Sequence, residues 1–141
     1  MHDITFHTNE PLVFEDAKVI DAGLDEFNGA AADFSGVVPF TSTARDDAGT
    51  IVGGVIARRW GQCCEIQQMW VDESQRSSGI GSRLMEQVDA HARDNGCSLI
   101  YLETFSFQAP EFYAKHGFTI ACQFDGFAEG VSKFIMHKTL C

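Results

Sequence analysis

The sequence predicts a mixed α/β fold, a single twisted β-sheet flanked by helices, from three observations. The chain has 141 residues, which suits one domain built around a single core. Apolar runs typical of strands alternate with segments of helical periodicity, in the order β-α-β-β-β-α-β-α-β-β. The stretch from Glu65 to Asn95 joins a strand to a helix through a loop of small residues, and such a crossover places two strands parallel. We therefore expect one domain over residues 1–141.

The chain up to Gly36 predicts a strand followed by a helix. Residues 4–7 alternate apolar and polar side chains, as in a short strand. Pro11, followed by acidic residues, is typical of a helix start. The apolar face of this helix would comprise Val13, Ala17, Ile20, Leu24 and Phe27. The small residues from Asn28 onward are expected to end the helix and to connect it to the next strand.

The middle of the chain predicts a hairpin and then a pair of parallel strands. Phe40–Arg45 and Ile51–Arg59 flank an Asp-Asp-Ala-Gly turn, as in a β-hairpin. The strand Glu65–Val71 follows, then a helix, then the apolar strand Cys97–Glu103. The helix is indicated by apolar residues at three- and four-residue steps, which are Leu84, Met85, Val88 and Ala92. Because a helix crosses between them, the two strands are expected to run parallel.

The end of the chain predicts a short helix and a second hairpin. The helix would cover Ala109–His116, with a proline in its first turn and a glycine directly after it. Phe118–Phe124 and Val131–Leu140 would then pair as antiparallel strands. This hairpin offers an edge strand through which a homodimer could form.

Composition and charge exclude several classes of protein. The chain is 45% hydrophobic and 21% charged, as in a globular protein, and no apolar run is long enough to span a membrane. Its N-terminal residues do not begin a signal peptide, so we expect a cytoplasmic location. A formal net charge of −10 argues against nucleic-acid binding, because phosphate backbones require a basic surface. The five cysteines and the histidines show no metal-ligand spacing, and we expect neither a metal nor a disulfide framework.

The loop between Arg76 and Gly81 has the features of a phosphate-binding loop. Backbone N–H groups at a helix start have no partners within the helix, and glycines allow a ligand to approach them closely. A Walker loop is excluded because no lysine follows Gly81. A dinucleotide-binding loop is disfavoured because Leu84 occupies the third small-residue position. A coenzyme A pyrophosphate site and an ordinary strand-to-helix turn remain.

Two motifs resemble those of one family. Arg76-x-x-Gly79-x-Gly81 resembles the signature of the GNAT superfamily of N-acetyltransferases, in the same strand and helix setting. Ala109, Tyr113, Gly117 and Phe118 match that family's second motif in register. The chain is therefore identified as a member of this superfamily, similar to its small bacterial acetyltransferases. The resemblance implies the GNAT (acyl-CoA N-acyltransferase) fold and acetyl-CoA as co-substrate.

The resemblance also implies the residues that hold the coenzyme. Backbone groups near Met69 and Val71 would hold the pantetheine arm and the thioester carbonyl. Backbone N–H groups of the loop and first helical turn would hold the pyrophosphate, namely those of Arg76, Ser77, Ser78, Gly79, Ile80, Gly81 and Ser82. The family's usual asparagine, which contacts the pantetheine, is replaced by Ser106, whose hydroxyl has a shorter reach.

Three residues are candidates for proton transfer. Tyr113 matches the family's tyrosine, which donates a proton to the coenzyme A thiolate, and a phenol with a pKa of about 10 keeps its proton at neutral pH. The base that deprotonates the amine would be Glu65 or, as its rival, Glu103, and water is a further alternative. The two-residue strand period places Glu65 on the same face as Met69 and Val71.

The function expected from the sequence is N-acetyl transfer from acetyl-CoA to a primary amine by direct attack. The acceptor would be a small molecule, with a polyamine, an aminoglycoside-like amine and an amino acid left open. Two alternatives also remain: a peptide or protein N-acetyltransferase, and a non-catalytic module that binds acyl-CoA.

Overall fold

The computed structural model describes residues 3–141. Met1 and His2, which carry part of the expectation about a signal peptide, lie outside the described residues. Two compact units are present, the first ending at Ser35 and the second covering Gly36–Cys141. The single domain expected over residues 1–141 stays a prediction. None of the helices in the described range is long and apolar enough to cross a lipid bilayer.

The first unit contains helix α1, Phe14–Ala31. The predicted strand over residues 4–7 is wrong, because these residues pair with no other strand within the described chain. An alternating pattern forms a strand only where a neighbour supplies the ladder hydrogen bonds. The helix also begins after Pro11 rather than at it, and it continues through Gly29 and its alanines to Ala31. Alanine is the strongest helix former, which accounts for the extension.

The second unit contains one mixed sheet with α2 (Ile80–Asp94) and α3 (Pro110–Lys115). The strands are β1 Val38–Arg45, β2 Ile51–Trp60, β3 Cys63–Val71, β4 Leu99–Phe105, β5 Thr119–Phe124 and β6 Lys133–Thr139. Within the described residues their order is β1-β2-β3-β4-β6-β5. Both predicted hairpins form, and β3 and β4 are parallel as predicted, while the other neighbours are antiparallel.

The core lies between α2 and one face of the sheet. The predicted apolar stripe of α2 is buried, which confirms the helical period read from the sequence. Its side chains pack on alternate residues of the central strands, so removal of this apolar surface from water stabilises the fold. The largest fully buried side chains are Leu84, Ile100, Leu102, Met136, Val55, Val88 and Cys64.

A β-bulge in β3 separates this strand from β4. Opposite β2, the pairing changes from Ala57–Ile66 to Ile56–Gln68, so Gln67 is the additional residue. The parallel ladder to β4 ends at Ile66 as well. A bulge bends its strand and interrupts the regular pairing. The two central strands therefore diverge beyond Ile66 and leave a gap between their carboxyl ends.

The same bulge changes which side chains share a face of the sheet. Cys64 and Ile66 are buried towards α2, and beyond the bulge Met69 and Val71 pack against the same core. Glu65 therefore lies on the opposite face from Met69 and Val71. The prediction that these three residues share a face is wrong, because an inserted residue shifts the two-residue alternation by one.

Candidate active site

A cavity of about 780 Å³ lies at the gap between β3 and β4 in the second unit. One wall is the end of β3, a second is the loop leading into α2 with the first turn of that helix, and a third is α3 with the turn before it. Backbone groups of alternate strand residues point to opposite neighbours. Because the N–H of Asp72 donates to Val52 O of β2, the backbone groups of Met69 and Val71 point away from β2, into the gap.

The loop before α2 has the backbone shape that the glycine motif predicts. Gly79 is in the left-handed conformation, with φ of 85°, and the helix begins at the next residue. Ser77 also has a positive φ, of 68°. The first intrahelical bond of α2 runs from Arg83 N to Gly79 O, so the N–H groups before Arg83 in this turn have no partner within the helix. They lie at the positive end of the helix dipole, where an anion is stabilised.

Hydrogen bonds within the loop fix its conformation. Arg76 Nε donates to Val71 O at 3.1 Å, which ties the start of the loop to the end of β3. Ser78 Oγ donates to Gln75 O, and Asp72 accepts hydrogen bonds from the hydroxyl and the N–H of Ser74. These bonds lower the pKa of the Asp72 carboxyl below its usual value. The loop is therefore held in shape by its own side chains.

A close contact joins the two helices that border the cavity. A Cβ atom at Gly81 would lie 3.2 Å from two carbons of the Phe112 ring and 3.6 Å from Met69 Cε. Gly81 is thus the residue that lets α3 approach the first turn of α2. Ser82 Oγ and His116 Nε2, 3.1 Å apart, form a second link between these helices.

Tyr113 points its hydroxyl into this cavity. Its Oη atom donates to Met69 Sδ at 3.7 Å, so the phenol proton is directed at a sulfur atom. Burial raises the pKa of Tyr113 above its usual value of about 10. A phenol with a raised pKa keeps its proton over the whole physiological pH range, so this hydroxyl is present as a hydrogen-bond donor.

A smaller cavity of about 370 Å³ adjoins the larger one and shares lining residues with it, among them Gln67 of β3 and Thr104 of β4. Glu103 at the end of β4 lines both cavities, whereas Glu65 lines the smaller one. The Glu65 carboxylate accepts a hydrogen bond from Arg58 Nε at 2.7 Å. Glu103 instead lies 3.8 Å from Lys133 Nζ, a distance at which no hydrogen bond forms.

The family follows from comparison of the whole chain with known proteins. Residues 7–118 match the family model described as the acetyltransferase (GNAT) family. The chain belongs to this family. It is an acetyl-CoA-dependent N-acetyltransferase, as the resemblance of its two motifs implied.

Relatives of this GNAT protein are bacterial acetyltransferases. Blasticidin-S acetyltransferase from Streptomyces morookaense is 31% identical over 102 residues, which cover 72% of this chain and 75% of that protein. The crystal structure of an acetyltransferase from Bacillus cereus matches with a TM-score of 0.79 at 30% identity, covering 95% of this chain and 98% of its own. A Bacillus anthracis structure, described as a streptothricin acetyltransferase in complex with acetyl coenzyme A, shares the fold. It has a TM-score of 0.65 at 23% identity and covers 74% of this chain and 64% of its own.

Most of the residues predicted for the GNAT site line the larger cavity. They are Met69, Val71, Arg76, Ser77, Gly79, Ile80, Gly81, Ser82, Glu103 and Tyr113. Ser78 and Ser106 are not among the lining residues, and Glu65 lines the smaller cavity alone. Ser106 Oγ accepts a hydrogen bond from Ser132 N at 3.0 Å, which joins two loops, and its contact with the coenzyme stays a prediction.

Gln108 and Lys115 line the larger cavity but are absent from the predicted site residues. Gln108 lines both cavities, and its side-chain oxygen accepts hydrogen bonds from Phe105 N at 2.7 Å and Thr104 Oγ1 at 3.2 Å. Phe112 packs against Gly81, and Lys115 adds a positive charge to the wall. Gln108 directly precedes the second motif in the sequence, but nothing in its spacing marks it as a cavity residue.

Proposed function

We propose that this GNAT enzyme transfers the acetyl group of acetyl-CoA to a primary amine of a small molecule by direct attack of the amine on the thioester. The observation that supports this is a pair of cavities that share lining residues where β3 and β4 diverge, with the Tyr113 hydroxyl in the wall of the larger one, where it donates to Met69 Sδ. One cavity would hold the coenzyme and the other the acceptor, so that both reach the same gap.

The larger cavity suits the coenzyme because its walls carry hydrogen-bond donors and positive charges. The N–H groups of the loop and of the first turn of α2 would bind the pyrophosphate, with Arg76 and Lys115 supplying positive charge. The backbone groups of Met69 and Val71 would bind the pantetheine arm, as a neighbouring strand would. Such local donors are needed because the net charge of −10 repels a polyanion over longer distances.

Tyr113 would act as the general acid. The bound coenzyme supplies the activated acetyl thioester, and its sulfur becomes a thiolate when the acetyl group leaves. The Tyr113 hydroxyl would donate its proton to this sulfur. Its hydrogen bond to Met69 Sδ supports this role, because the hydroxyl already donates to a sulfur atom in the cavity wall. The raised pKa of Tyr113 keeps its hydroxyl protonated until the thiolate forms.

Glu103 is better placed than Glu65 to accept the proton of the acceptor. A base must lie within hydrogen-bond reach of the proton it removes. Glu103 lines both cavities, so it borders the gap at which the amine and the thioester would meet. Glu65 already accepts a hydrogen bond from Arg58 and lies on the far side of the bulge. We assign the proton transfer to Glu103, directly or through one water molecule.

The small cavity favours a small acceptor over a polypeptide. Its volume of about 370 Å³ matches an amine of modest size, at the low end of the range for ligand pockets. The relative from Streptomyces morookaense is named for the small molecule blasticidin S, which also favours this class of acceptor.

The experiment that tests the function has two stages. Acetyl-CoA is first titrated into the purified protein by calorimetry, and a panel of small amines and lysine peptides is then screened for release of coenzyme A thiol. Binding, with turnover of a small amine, is the expected result. Binding without turnover of any acceptor would indicate an acyl-CoA-binding module, and turnover restricted to peptides would overturn the small-molecule assignment.

A further inference from the structure

Lys133 lies in the smaller cavity, where its charge differs from that of the two carboxylates beside it. This cavity is lined by Glu65 and Glu103, and among its described lining residues Lys133 carries the positive charge. A cavity shaped for a simple cationic amine gains nothing from a lysine in its wall, because like charges repel. The presence of Lys133 therefore needs its own explanation.

The contacts of Lys133 leave its N–H groups available. Its Nζ atom lies 3.8 Å from Glu103 Oε2, beyond hydrogen-bond distance. It also lies over the rings of Phe105 and Phe127, 5.0 and 5.6 Å from their centroids. Within the part of the chain that the structure describes, these are the interactions of this ammonium group. The rings hold the ammonium by attraction to their faces and accept no conventional hydrogen bond.

Lys138, on the same strand as Lys133, has the contacts of a lysine with a structural role. Lys138 Nζ donates to Asp89 Oδ2 at 2.6 Å and joins β6 to α2. Lys138 lines neither cavity, whereas Lys133 lines the smaller one. Lys138 thus has a structural role. Lys133 is held by aromatic rings, and its N–H groups are available to a ligand.

We infer that Lys133 binds a carboxylate of the acceptor, so that the acceptor of this enzyme is an amino acid or a similar molecule with an amine and a carboxylate close together. The inference rests on the proposed small-molecule acetyltransferase function. The acceptor amine would lie at Glu103 and its carboxylate at Lys133. These two side chains are 3.8 Å apart, and the amine nitrogen and a carboxylate oxygen of an amino acid are separated by about 3 Å.

The charges of the site are balanced by such an acceptor. Glu103 and Lys133 form a loose, partly exposed pair that contributes little to stability by itself, so a ligand can interact with both groups. Each would then face a group of opposite charge on the ligand, at short range. A zwitterion also has no net charge, so the acidic protein surface does not repel it.

The test compares acceptors that differ by one carboxylate. The pairs are phenylalanine and 2-phenylethylamine, leucine and 3-methylbutylamine, and lysine and 1,5-diaminopentane. The intact enzyme is expected to acetylate the amino acid of at least one pair with a kcat/KM more than tenfold above that of its partner. Lys133→Met should remove this preference, and Lys133→Glu should reverse it. Lys138→Met is the matched control, which lowers stability and leaves the preference unchanged.

A binding measurement tests the role of Lys133 independently of whether the enzyme turns over any of these amines. N-acetylphenylalanine and N-acetyl-2-phenylethylamine, the two products, are titrated into the enzyme saturated with coenzyme A. The inference expects tighter binding of the carboxylate-bearing product, lost in Lys133→Met, even if no amine is turned over. No turnover with this preference retained would contradict the proposed function alone. Equal binding of both products, or a preference that Lys133→Met leaves intact, would overturn the inference.

Discussion

The two cavities that meet between β3 and β4 are built in different ways. The larger one presents backbone N–H groups, glycines and the half-buried Tyr113 phenol beside the charged side chains of Arg76, Glu103 and Lys115, and its loop is held by hydrogen bonds within the chain. The smaller one presents side-chain charges, from Glu65, Glu103 and Lys133. A backbone site suits a co-substrate common to a whole family, whereas side chains can change singly and alter the acceptor. The difference indicates that coenzyme binding and acceptor choice can be changed separately.

Tyr113→Phe gives the largest expected effect, because it removes the proton donor and leaves both cavities in shape. General acid catalysis contributes about 10² to 10⁴ in rate, so kcat should fall by that factor while the Kd for acetyl-CoA changes little. The sequence contains two tyrosines. Tyr101, whose pKa burial also raises, lines neither cavity, and Tyr101→Phe is the matched control. Equal kcat values in both variants would exclude the acid role.

The second prediction separates the two carboxylates. If Glu103 takes the proton of the amine, Glu103→Gln should lower kcat/KM by about 10²-fold and flatten its rise with pH. Glu65→Gln should lose the pair with Arg58, at a cost of about 0.2–1 kcal/mol in unfolding free energy for a partly exposed pair. The measurements are pH profiles of kcat/KM and urea unfolding. If only Glu65→Gln changed the pH profile of kcat/KM, the general base would be Glu65 and not Glu103.

The third prediction concerns the contact at Gly81, which shapes the coenzyme cavity. In Gly81→Val, added side-chain atoms would displace the Phe112 ring, which a Cβ would approach to 3.2 Å. Overpacking costs about 1–3 kcal/mol, and we expect the Kd for coenzyme A, measured by calorimetry, to rise roughly tenfold. In α1, a Cβ added at Gly23 would meet nothing within 4 Å. Gly23→Ala, the control, should leave coenzyme binding unchanged and raise stability by about 0.5–1 kcal/mol. Unchanged binding in Gly81→Val would show that this contact does not shape the site.

The sequence predicted the backbone-built cavity better than the side-chain-built one, for physical reasons. Glycines and a helix start determine the backbone shape of such a loop locally, so all of the residues from Arg76 to Ser82 except Ser78 could be located at the cavity from their order alone. The bulge at Gln67 has no comparable local signal, and it reversed the face expected for Glu65. Ser106 stays a predicted coenzyme contact, and the hydrogen bond that its hydroxyl accepts from Ser132, 26 residues away, has no signal in its motif. Contacts between distant segments are not encoded in local spacing.

The smallest expected effect tests whether the lysines of β6 differ as inferred. Burial alone would raise the pKa of Asp89, but hydrogen bonds from Arg93 and Lys138 outweigh it and lower the pKa below its usual range. A carboxyl whose pKa is lower in the folded state stabilises the protein above its unfolded pKa of about 3.9, and this stability is lost as the pH falls through the folded value. Asp89→Asn should therefore cost about 1–2 kcal/mol of unfolding free energy near neutral pH, and the difference from the unsubstituted enzyme should shrink below about pH 4.

Urea unfolding at a series of pH values measures this difference. Lys133→Met is the comparison, since its loose pair with Glu103 should contribute within about 0.5 kcal/mol at every pH. A pH-independent loss in Asp89→Asn would mean that packing, rather than the charged hydrogen bonds, holds α2 against β6. A large loss of stability in Lys133→Met would make Lys133 a structural residue like Lys138. The division between a lysine that supports the fold and one that selects the acceptor depends on these two results together.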